Sequence, residues 1–297
     1  MVPVLIGATF LIYVMVFAIP GDPVKALFGE RSVSPGTIAV LRERYHLDDP
    51  LLVQYGKYLA GLLRGDFGES LNQQRPVLQI VAERFPVTLK LALFAFAFES
   101  VLGLTAGLLA GLRRGSFMDN LVLVSTTAAV SVPVFVLGYV SQLVLGVKFR
   151  LLPVAGLSHG WQSYVLPGMV LGALSLAYVA RLTRTSLVEN LRADYVRTAT
   201  AKGLPRRRVV GRHALRNSLI PVVTFLGTDL GSLMGGAIIT EGVFNIPGVG
   251  LQVFQAVSTK DGTVVVGIVT LLVLIFIVSN LVVDLLYAVL DPRIRYG

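Results

Sequence analysis

Long apolar runs constrain this chain more than any other feature of its sequence. Six segments have roughly 18 or more apolar residues, enough for a helix to cross a hydrocarbon core of about 30 Å. They lie at about residues 2–19, 86–111, 119–146, 164–187, 217–240 and 262–289. Only 14% of the 297 residues are charged, against about 25% in soluble domains. The sequence therefore predicts an all-α, polytopic membrane protein that forms a single transmembrane domain over residues 1–297.

The distribution of basic residues predicts the orientation of these segments. From Arg181 to Arg216 the sequence has ten basic and two acidic residues, which is +8 of a net charge of +9. Cytoplasmic loops of membrane proteins carry such an excess of Lys and Arg, so we expect the loop at about 188–216 and both termini to face the cytoplasm. Lys148 and Arg150 oppose this orientation mildly. The first segment lacks a basic flank and a cleavage site, which favours an anchoring span over a signal peptide.

The loop at about 20–85 is predicted to lie outside and to be helical. It balances eight basic against eight acidic residues, and long loops translocate largely regardless of charge. Ser34-Pro35 and Asp49-Pro50 are each typical of an N-cap followed by a first helical residue, and the second helix is expected to end at Gly65. The two helices would form either a structural cap on the bundle or a docking surface. A further outer segment is expected at about 241–261.

No motif for catalysis or metal binding is found in the sequence. The phosphate-binding pattern G-x-x-x-x-G-K-[ST] is absent. His46, His159 and His213 have no metal-ligand spacing, and the chain contains no cysteine. We expect no catalytic residue, metal site or cofactor in this chain. The basic excess indicates cytoplasmic loops rather than nucleic-acid binding.

Three carboxylic acids fall inside predicted spans, namely Glu99, Asp229 and Asp284. A charge at the centre of a span costs about 2.5–3.5 kcal/mol on insertion scales, so such residues face a bundle interior or a cavity. They indicate either a substrate or ion pathway, or hydrogen bonding between helices. A proton- or ion-coupled transporter would use them as well.

Proline and glycine residues predict how the spans bend and pack. Pro133, between Ser131 and Phe135 in SVPVF, removes a hydrogen bond in mid-span and should kink or break the third span. Such a break either lines a cavity or serves packing alone. Two glycine series allow close helix approach: Gly103, Gly107 and Gly111 in the second span, and Gly231 with Gly235 in the fifth.

The basic loop has the local signals of a short helix with a sharp stop. Asp194 is expected to cap its first amides, and Lys202 lies at its negative end. Gly203 is expected to adopt the left-handed conformation and Pro205 to start the next helix.

Three apolar residues lie among the arginines of this loop. Val196, Ala199 and Leu204 are predicted to form an exposed apolar knob that fits a groove on a cytoplasmic partner. The alternative is a basic loop that binds lipid headgroups, although headgroup binding does not explain the capped turn.

The loop resembles the cytoplasmic EAA loop of permease subunits of ABC importers. Its sequence, DYVRTATAKGL…RHALRNSLIP, is similar to the dipeptide/oligopeptide branch, in which Arg-Thr-Ala replaces Glu-Ala-Ala. Further similar motifs are PGDP at 20–23, HLDDPLLVQYGKYL, GDFGES, SVPVF and EGVFNIPGVG. The chain departs from such permeases in lacking the cytoplasmic N-terminal segment that they usually have.

The resemblance implies the permease fold of a type I importer in a prokaryotic cytoplasmic (inner) membrane. Its partners would be a second homologous permease, two cytoplasmic ATPases that bind ATP and Mg, an extracytoplasmic solute-binding protein and the lipid bilayer. The implied solute is a di- or oligopeptide, although related permeases also serve nickel, glutathione and some sugars. The alternatives are an ion-coupled secondary transporter and a membrane-embedded enzyme.

Specific residues follow from the resemblance. The implied ATPase-coupling residues are Asp194, Tyr195, Arg197, Thr198, Ala199, Lys202, Gly203 and Leu204. The candidate pathway or gate residues are Ser131, Pro133, Phe135, Glu99, Asp229 and Asp284.

Overall fold

The computed structural model describes residues 2–17, 34–44 and 48–290, and these residues are helical with connecting turns. The PGDP motif at 20–23 and His46 lie outside the described residues. The main helices are α1 (Val2–Phe17), α2 (Pro35–Arg44), α3 (Leu51–Leu62), α4 (Val77–Leu112), α5 (Phe117–Ser131), α6 (Val134–Ser141), α7 (Val165–Leu191), α8 (Asp194–Ala201), α9 (Ile220–Phe244), α10 (Val249–Ser258) and α11 (Gly262–Leu290). A π-helical stretch, Gln142–Lys148, continues α6, and a 3-10 turn, Gly160–Tyr164, precedes α7.

The predicted apolar segments form the helices of this fold. Four described segments are long and apolar enough to cross a membrane: Val77–Leu112, Gly160–Leu191, Ile220–Phe244 and Gly262–Leu281. Phe117–Ser131 and Val134–Lys148 pass the same test as a pair, bent by 105°, whereas α1 is shorter, at 16 residues. The prediction of an all-α, polytopic membrane protein is confirmed.

The chain divides into two compact units, with the divisions falling in α4, before α10 and in α11. One unit comprises residues 1–88 and 246–278, and the other comprises residues 89–245 and 279–297.

In the first unit, α3 packs against α1 and α11 through tyrosines. The Tyr55 hydroxyl lies 3.0 Å from Thr9 Oγ1 and donates a 3.0 Å hydrogen bond to the Ile6 carbonyl. The Tyr58 hydroxyl donates to Thr270 Oγ1 at 2.8 Å. Because these tyrosine hydroxyls are hydrogen-bonded to other helices of the unit, α3 is an integral part of its packing.

The predicted caps of α2 and α3 differ in outcome. Helix α2 begins at Pro35, as predicted. Helix α3 begins one residue later than predicted, because Pro50 has extended backbone angles and takes the N-cap position instead of Asp49. Asp49 instead accepts a 2.7 Å hydrogen bond from Lys57 Nζ.

Asp261 ties the segment after α3 to the start of α11. Its buried carboxylate accepts hydrogen bonds from Ser70 Oγ at 2.6 Å and from the Asn72 amide at 3.2 Å. The Val264 amide donates to the other carboxylate oxygen at 3.4 Å. A carboxylate here satisfies amides at a helix N-terminus and fixes the turn that carries GDFGES.

In the second unit, glycines bring α4 and α7 together. A Cβ at Gly103 would lie 2.8 Å from Val179, and one at Gly107 would lie 2.5 Å from the Ala180 carbonyl oxygen. Gly111 similarly faces Leu187. The predicted close approach at this series is confirmed.

The second glycine series behaves differently. Gly231 is buried, but a Cβ at Gly235 would have no heavy atom within 4 Å. The predicted close packing at Gly235 is wrong within this chain, because that side of α9 faces open space.

Candidate coupling loop and intramembrane polar residues

Two residues, Arg192 and Ala193, separate the end of α7 from the start of α8. Ala193 occupies the N-cap with extended backbone angles and Asp194 is the first helical residue, without a side-chain cap hydrogen bond. The prediction that Asp194 caps α8 is therefore wrong. Its carboxylate instead accepts from Arg197 Nη1 at 3.4 Å. A carboxylate in the first turn still interacts favourably with the positive end of the helix dipole.

The C-terminal stop of α8 is confirmed. Gly203 has φ +78°, and its amide donates to the Thr200 carbonyl at 2.9 Å. The Leu204 amide donates to the Ala199 carbonyl at 3.3 Å. These two bonds form a Schellman motif, which satisfies carbonyls at the helix end and requires a residue that tolerates positive φ. Pro205 takes the N-cap of the next helical segment, which begins one residue later than predicted, at Arg206.

The apolar residues of α8 face inward. Val196 and Ala199 are each 6% exposed and pack in a buried cluster with Leu187, Val209 and Ala214. Leu204 is partly buried against the same cluster. The prediction of an exposed apolar knob is wrong, because the chain itself covers these side chains. We call this group the α8 anchor; it joins α8 to the end of α7.

The exposed face of α8 and its turn is polar. Arg197 and Asp194 are exposed over 74% and 95% of their side chains. The Tyr195 hydroxyl donates to Asn190 Oδ1 at the end of α7. The exposed coupling candidates are Asp194, Tyr195, Arg197, Thr198, Lys202 and Gly203. A partner that meets α8 would thus contact charges, hydroxyls and a glycine backbone.

A basic segment, residues 206–218, follows the turn. Arg206–Arg208 form a single helical turn, Val209–Ala214 are π-helical and Leu215–Ser218 return to α-helix. Val209 and Ala214 belong to the α8 anchor, and Ser218 Oγ donates to the Ser186 carbonyl of α7 at 3.3 Å. The arginines of this segment therefore project from a backbone that is held against α7.

A buried ion pair near the loop was not predicted. Arg184 Nη2 of α7 donates to Asp119 Oδ2 at 2.8 Å, and Arg184 Nε donates to Asp119 Oδ1. Asp119 also accepts from the Gly115 amide at 2.8 Å, while Ser116 Oγ accepts from the Asp119 amide at 3.3 Å. Its sequence signal is a capping-box pattern, Ser followed three residues later by an acid. The pair fixes the α4–α5 turn to α7.

Two of the three intramembrane acids come together. Glu99 of α4 is 0% exposed, and neither of its carboxyl oxygens has a hydrogen-bond partner among the described residues. Its neighbours are Asp229 of α9 and Ser175 of α7. Asp229 is 8% exposed and has one carboxyl oxygen without a partner in that same part of the chain. The Asp284 side chain lies outside the described residues.

The third predicted span is broken at Pro133. Helix α5 ends at Ser131, Pro133 is the N-cap of α6, and the two helices are bent by 105°. The prediction of a kink or break is confirmed. Ser131, Pro133 and Phe135 are all exposed, and Ser131 lines a shallow surface groove with Leu123, Val124, Thr127 and Ala128.

The chain matches two family models. Residues 103–296 match the binding-protein-dependent transport system inner membrane component, and residues 1–92 match its N-terminal region.

Similar proteins cover the whole chain. A dipeptide transport system permease protein of Alkalihalophilus pseudofirmus is 36% identical, over 100% of this chain and 97% of its own length. A di/tripeptide transport system permease protein of Pseudomonas aeruginosa and a glutathione transport system permease protein of Salmonella paratyphi A are each 39% identical, over 100% of this chain and 96% of their own length.

A solved structure supports the same fold. A chain of the inward-facing MetNI methionine ABC transporter aligns with a TM-score of 0.54 and 21% identity, over 70% of this chain and 96% of that one. The protein is a multi-pass membrane protein that belongs to the family of binding-protein-dependent transport system inner membrane components.

Proposed function

We propose that this chain is the permease half of an ATP-driven, binding-protein-dependent importer of di- or oligopeptides. The observation that carries the proposal is α8, a short polar helix whose apolar face is anchored to α7 and whose charged face is left exposed. The names of the full-length relatives support peptides as the solute class. A second permease would complete the pathway, and two ATPases would supply ATP hydrolysis with Mg.

The topology proposed for the importer follows the basic residues. The loop at about 188–216 and both termini face the cytoplasm of a prokaryotic cell, and the loop at about 20–85 faces outward. The solute-binding protein would approach from the outer side.

The α8 anchor explains how motion would reach the membrane. An ATPase that binds the exposed face of α8 pulls on a helix whose buried face contacts Leu187 of α7 and Val209 and Ala214 of the basic segment. The packed side chains resist separation, so displacement of α8 moves the end of α7 with it. The Asp119–Arg184 pair extends this connection to the start of α5.

The proposed pathway includes the carboxylic acids inside the spans and the residues beside the break in the third span. Glu99 and Asp229 bring two buried carboxyls together on α4 and α9, and acids inside spans commonly face a bundle interior or a water-filled pathway. The break at Pro133 exposes Ser131 and Phe135 beside it. We include Asp284 on its sequence position alone.

An ion-coupled secondary transporter is not favoured, because the relatives at 36–39% identity are permease proteins of named transport systems. Uptake by the reconstituted complex separates the two. ATP-dependent uptake supports the importer, whereas uptake driven by an ion gradient without any ATPase would refute it.

Charge reversal at Arg197 tests the coupling face. Arg197→Glu should reduce copurification of the ATPase and uptake about tenfold or more, since a hydrogen bond to a charged group contributes about 1.5–3 kcal/mol. Arg113→Glu is the matched control, because Arg113 is exposed in the α4–α5 turn and lies off α8. Equal losses in both variants would favour a general lipid or charge effect and contradict the contact.

Substitutions at Gly203 test the turn at the end of α8 separately from the contact of α8 with the ATPase. Gly203→Ala adds a methyl group into open space but at φ +78°, which costs about 1–2 kcal/mol for an L-residue. Gly203→Pro also removes the amide that bonds Thr200. We expect uptake to fall more in the proline variant while ATP hydrolysis persists; normal uptake in both would refute the role of the turn. Ala199→Arg is not a clean test, because Ala199 is buried in the α8 anchor.

A further inference from the structure

Helix α3 exposes an apolar stripe that no described part of the chain covers. Leu52, Gly56 and Ala60 of α3 and Leu63 at its C-cap follow one another at helical spacing and are all exposed, with Leu52 at 69% and Leu63 at 90%. At about 100° per residue they occupy one side of the helix. We call these four residues the α3 stripe. Exposed apolar patches of this kind mark contact with lipid or with another molecule.

The buried side of α3 shows how deep the helix lies. Its buried Tyr55 reaches Thr9 of α1, eight residues before Phe17, which is about 12 Å along that helix. Tyr58 reaches Thr270 of α11, eight residues after Gly262 and thus also about 12 Å inward. Since α1 contains no charged residue from Val2 to Phe17, these contacts lie at membrane depth. Helix α3 therefore packs against two apolar helices, with its buried side within the depth that acyl chains reach.

Basic residues border the α3 stripe on the side away from the buried tyrosines. Lys57 and Arg64 are exposed and follow the stripe around the helix, and Lys57 is bonded to Asp49 at 2.7 Å. Long basic side chains at such a position extend toward phosphate headgroups while their stems stay in apolar surroundings. The outward face of α1 is apolar and exposed in the same way as the α3 stripe. Its residues Val4, Leu11 and Met15 are 63%, 57% and 62% exposed.

We propose that α3 is an interfacial helix, with the α3 stripe embedded among phospholipid acyl chains and with Arg64 at the phosphate groups. Protein lies on its tyrosine side, lipid on its stripe side and water on its basic side, which is the arrangement of an amphipathic helix in a membrane interface. Under the proposed topology this is the outer leaflet. The inference depends on the chain spanning a membrane and not on the transported solute.

The absence of cysteine from the chain makes single-site labelling direct. Leu52→Cys, Leu63→Cys and Arg64→Cys would each be labelled with bimane in the assembled transporter, reconstituted in phosphatidylcholine nanodiscs. Leu11→Cys on α1 is the lipid-facing control, and ATP hydrolysis verifies that each variant is assembled. Fluorescence is then quenched either by doxyl-labelled phosphatidylcholine or by aqueous iodide.

Doxyl lipid should quench the labels at Leu52 and Leu63 as strongly as it quenches the label at Leu11, and iodide should quench these labels only weakly. At Arg64, iodide should quench the label more strongly than doxyl lipid does. Strong iodide quenching at Leu52 and Leu63 would overturn the proposal by placing the stripe in water. Protection from both quenchers that is lost when the second permease is omitted would assign the stripe to a permease interface. Protection that appears only on addition of the solute-binding protein would assign it to docking. ATP-dependent uptake is measured separately, so failure of the importer function is distinguishable from failure of this inference.

Discussion

Shortening Val196 tests whether α8 must be fixed to α7. Val196 is 6% exposed within the α8 anchor, and Val196→Ala removes two of its methyl groups. With about 0.8 kcal/mol per buried methyl and an added cavity term, docking of α8 should weaken by about 1.5–2.5 kcal/mol. Because 1.4 kcal/mol corresponds to a tenfold change, the undocked population should rise by about 10- to 70-fold.

Hydrogen exchange measures this population. The Leu204 and Gly203 amides are bonded to carbonyls of α8, so their exchange should accelerate in Val196→Ala in proportion to the opening of the helix. Thr198→Ala is the matched control, since it places alanine on the exposed face of the same helix. We expect Val196→Ala also to lower uptake per ATP hydrolysed. Unchanged exchange around 194–204 with normal coupling would refute the claim that the anchor transmits motion.

Two further predictions concern the second unit. Gly107→Ala should lower the free energy of unfolding of the purified permease by about 1–3 kcal/mol, because the added Cβ would lie 2.5 Å from the Ala180 carbonyl oxygen. Gly235→Ala, in open space, should be neutral or stabilising by about 1 kcal/mol; equal melting shifts in the two variants would contradict the packing. Asp119→Asn should cost about 3–5 kcal/mol by leaving the Arg184 charge without its buried partner. Adding Arg184→Gln should restore part of that loss, and a larger loss in the double variant would refute the pairing.

Local signals in the sequence predicted local structure well. The left-handed turn at Gly203 and the break at Pro133 follow from the backbone geometry of single residues, and both are confirmed. The start of α2 at Pro35 is confirmed for the same reason. The caps assigned to Asp49 and Asp194 are wrong by one residue, because the preceding or following residue takes the extended conformation.

Predictions about which face of a helix is covered were less reliable. The sequence predicts that Val196 and Ala199 contact a partner, yet Leu187, Val209 and Ala214 cover them. The residues that cover them lie on other elements, the end of α7 and the basic segment, so helical periodicity within α8 gives no sign of the contact. The pairing of Asp119 with Arg184 was missed for the same reason, since the two are 65 positions apart.

The sequence by itself determined that this protein crosses a membrane as helices, where the spans lie and where the chain turns. Those properties depend on hydrocarbon thickness and on the backbone of individual residues, which act over one helix at most. Its orientation and its coupling to an ATPase stay predictions from charge and resemblance. Only the tertiary structure decided that α8 presents charges while its apolar side is anchored, that Glu99 meets Asp229, and that Gly107 is packed while Gly235 is open. The physical reason is that burial depends on which segments meet in space, and no segment carries that information alone.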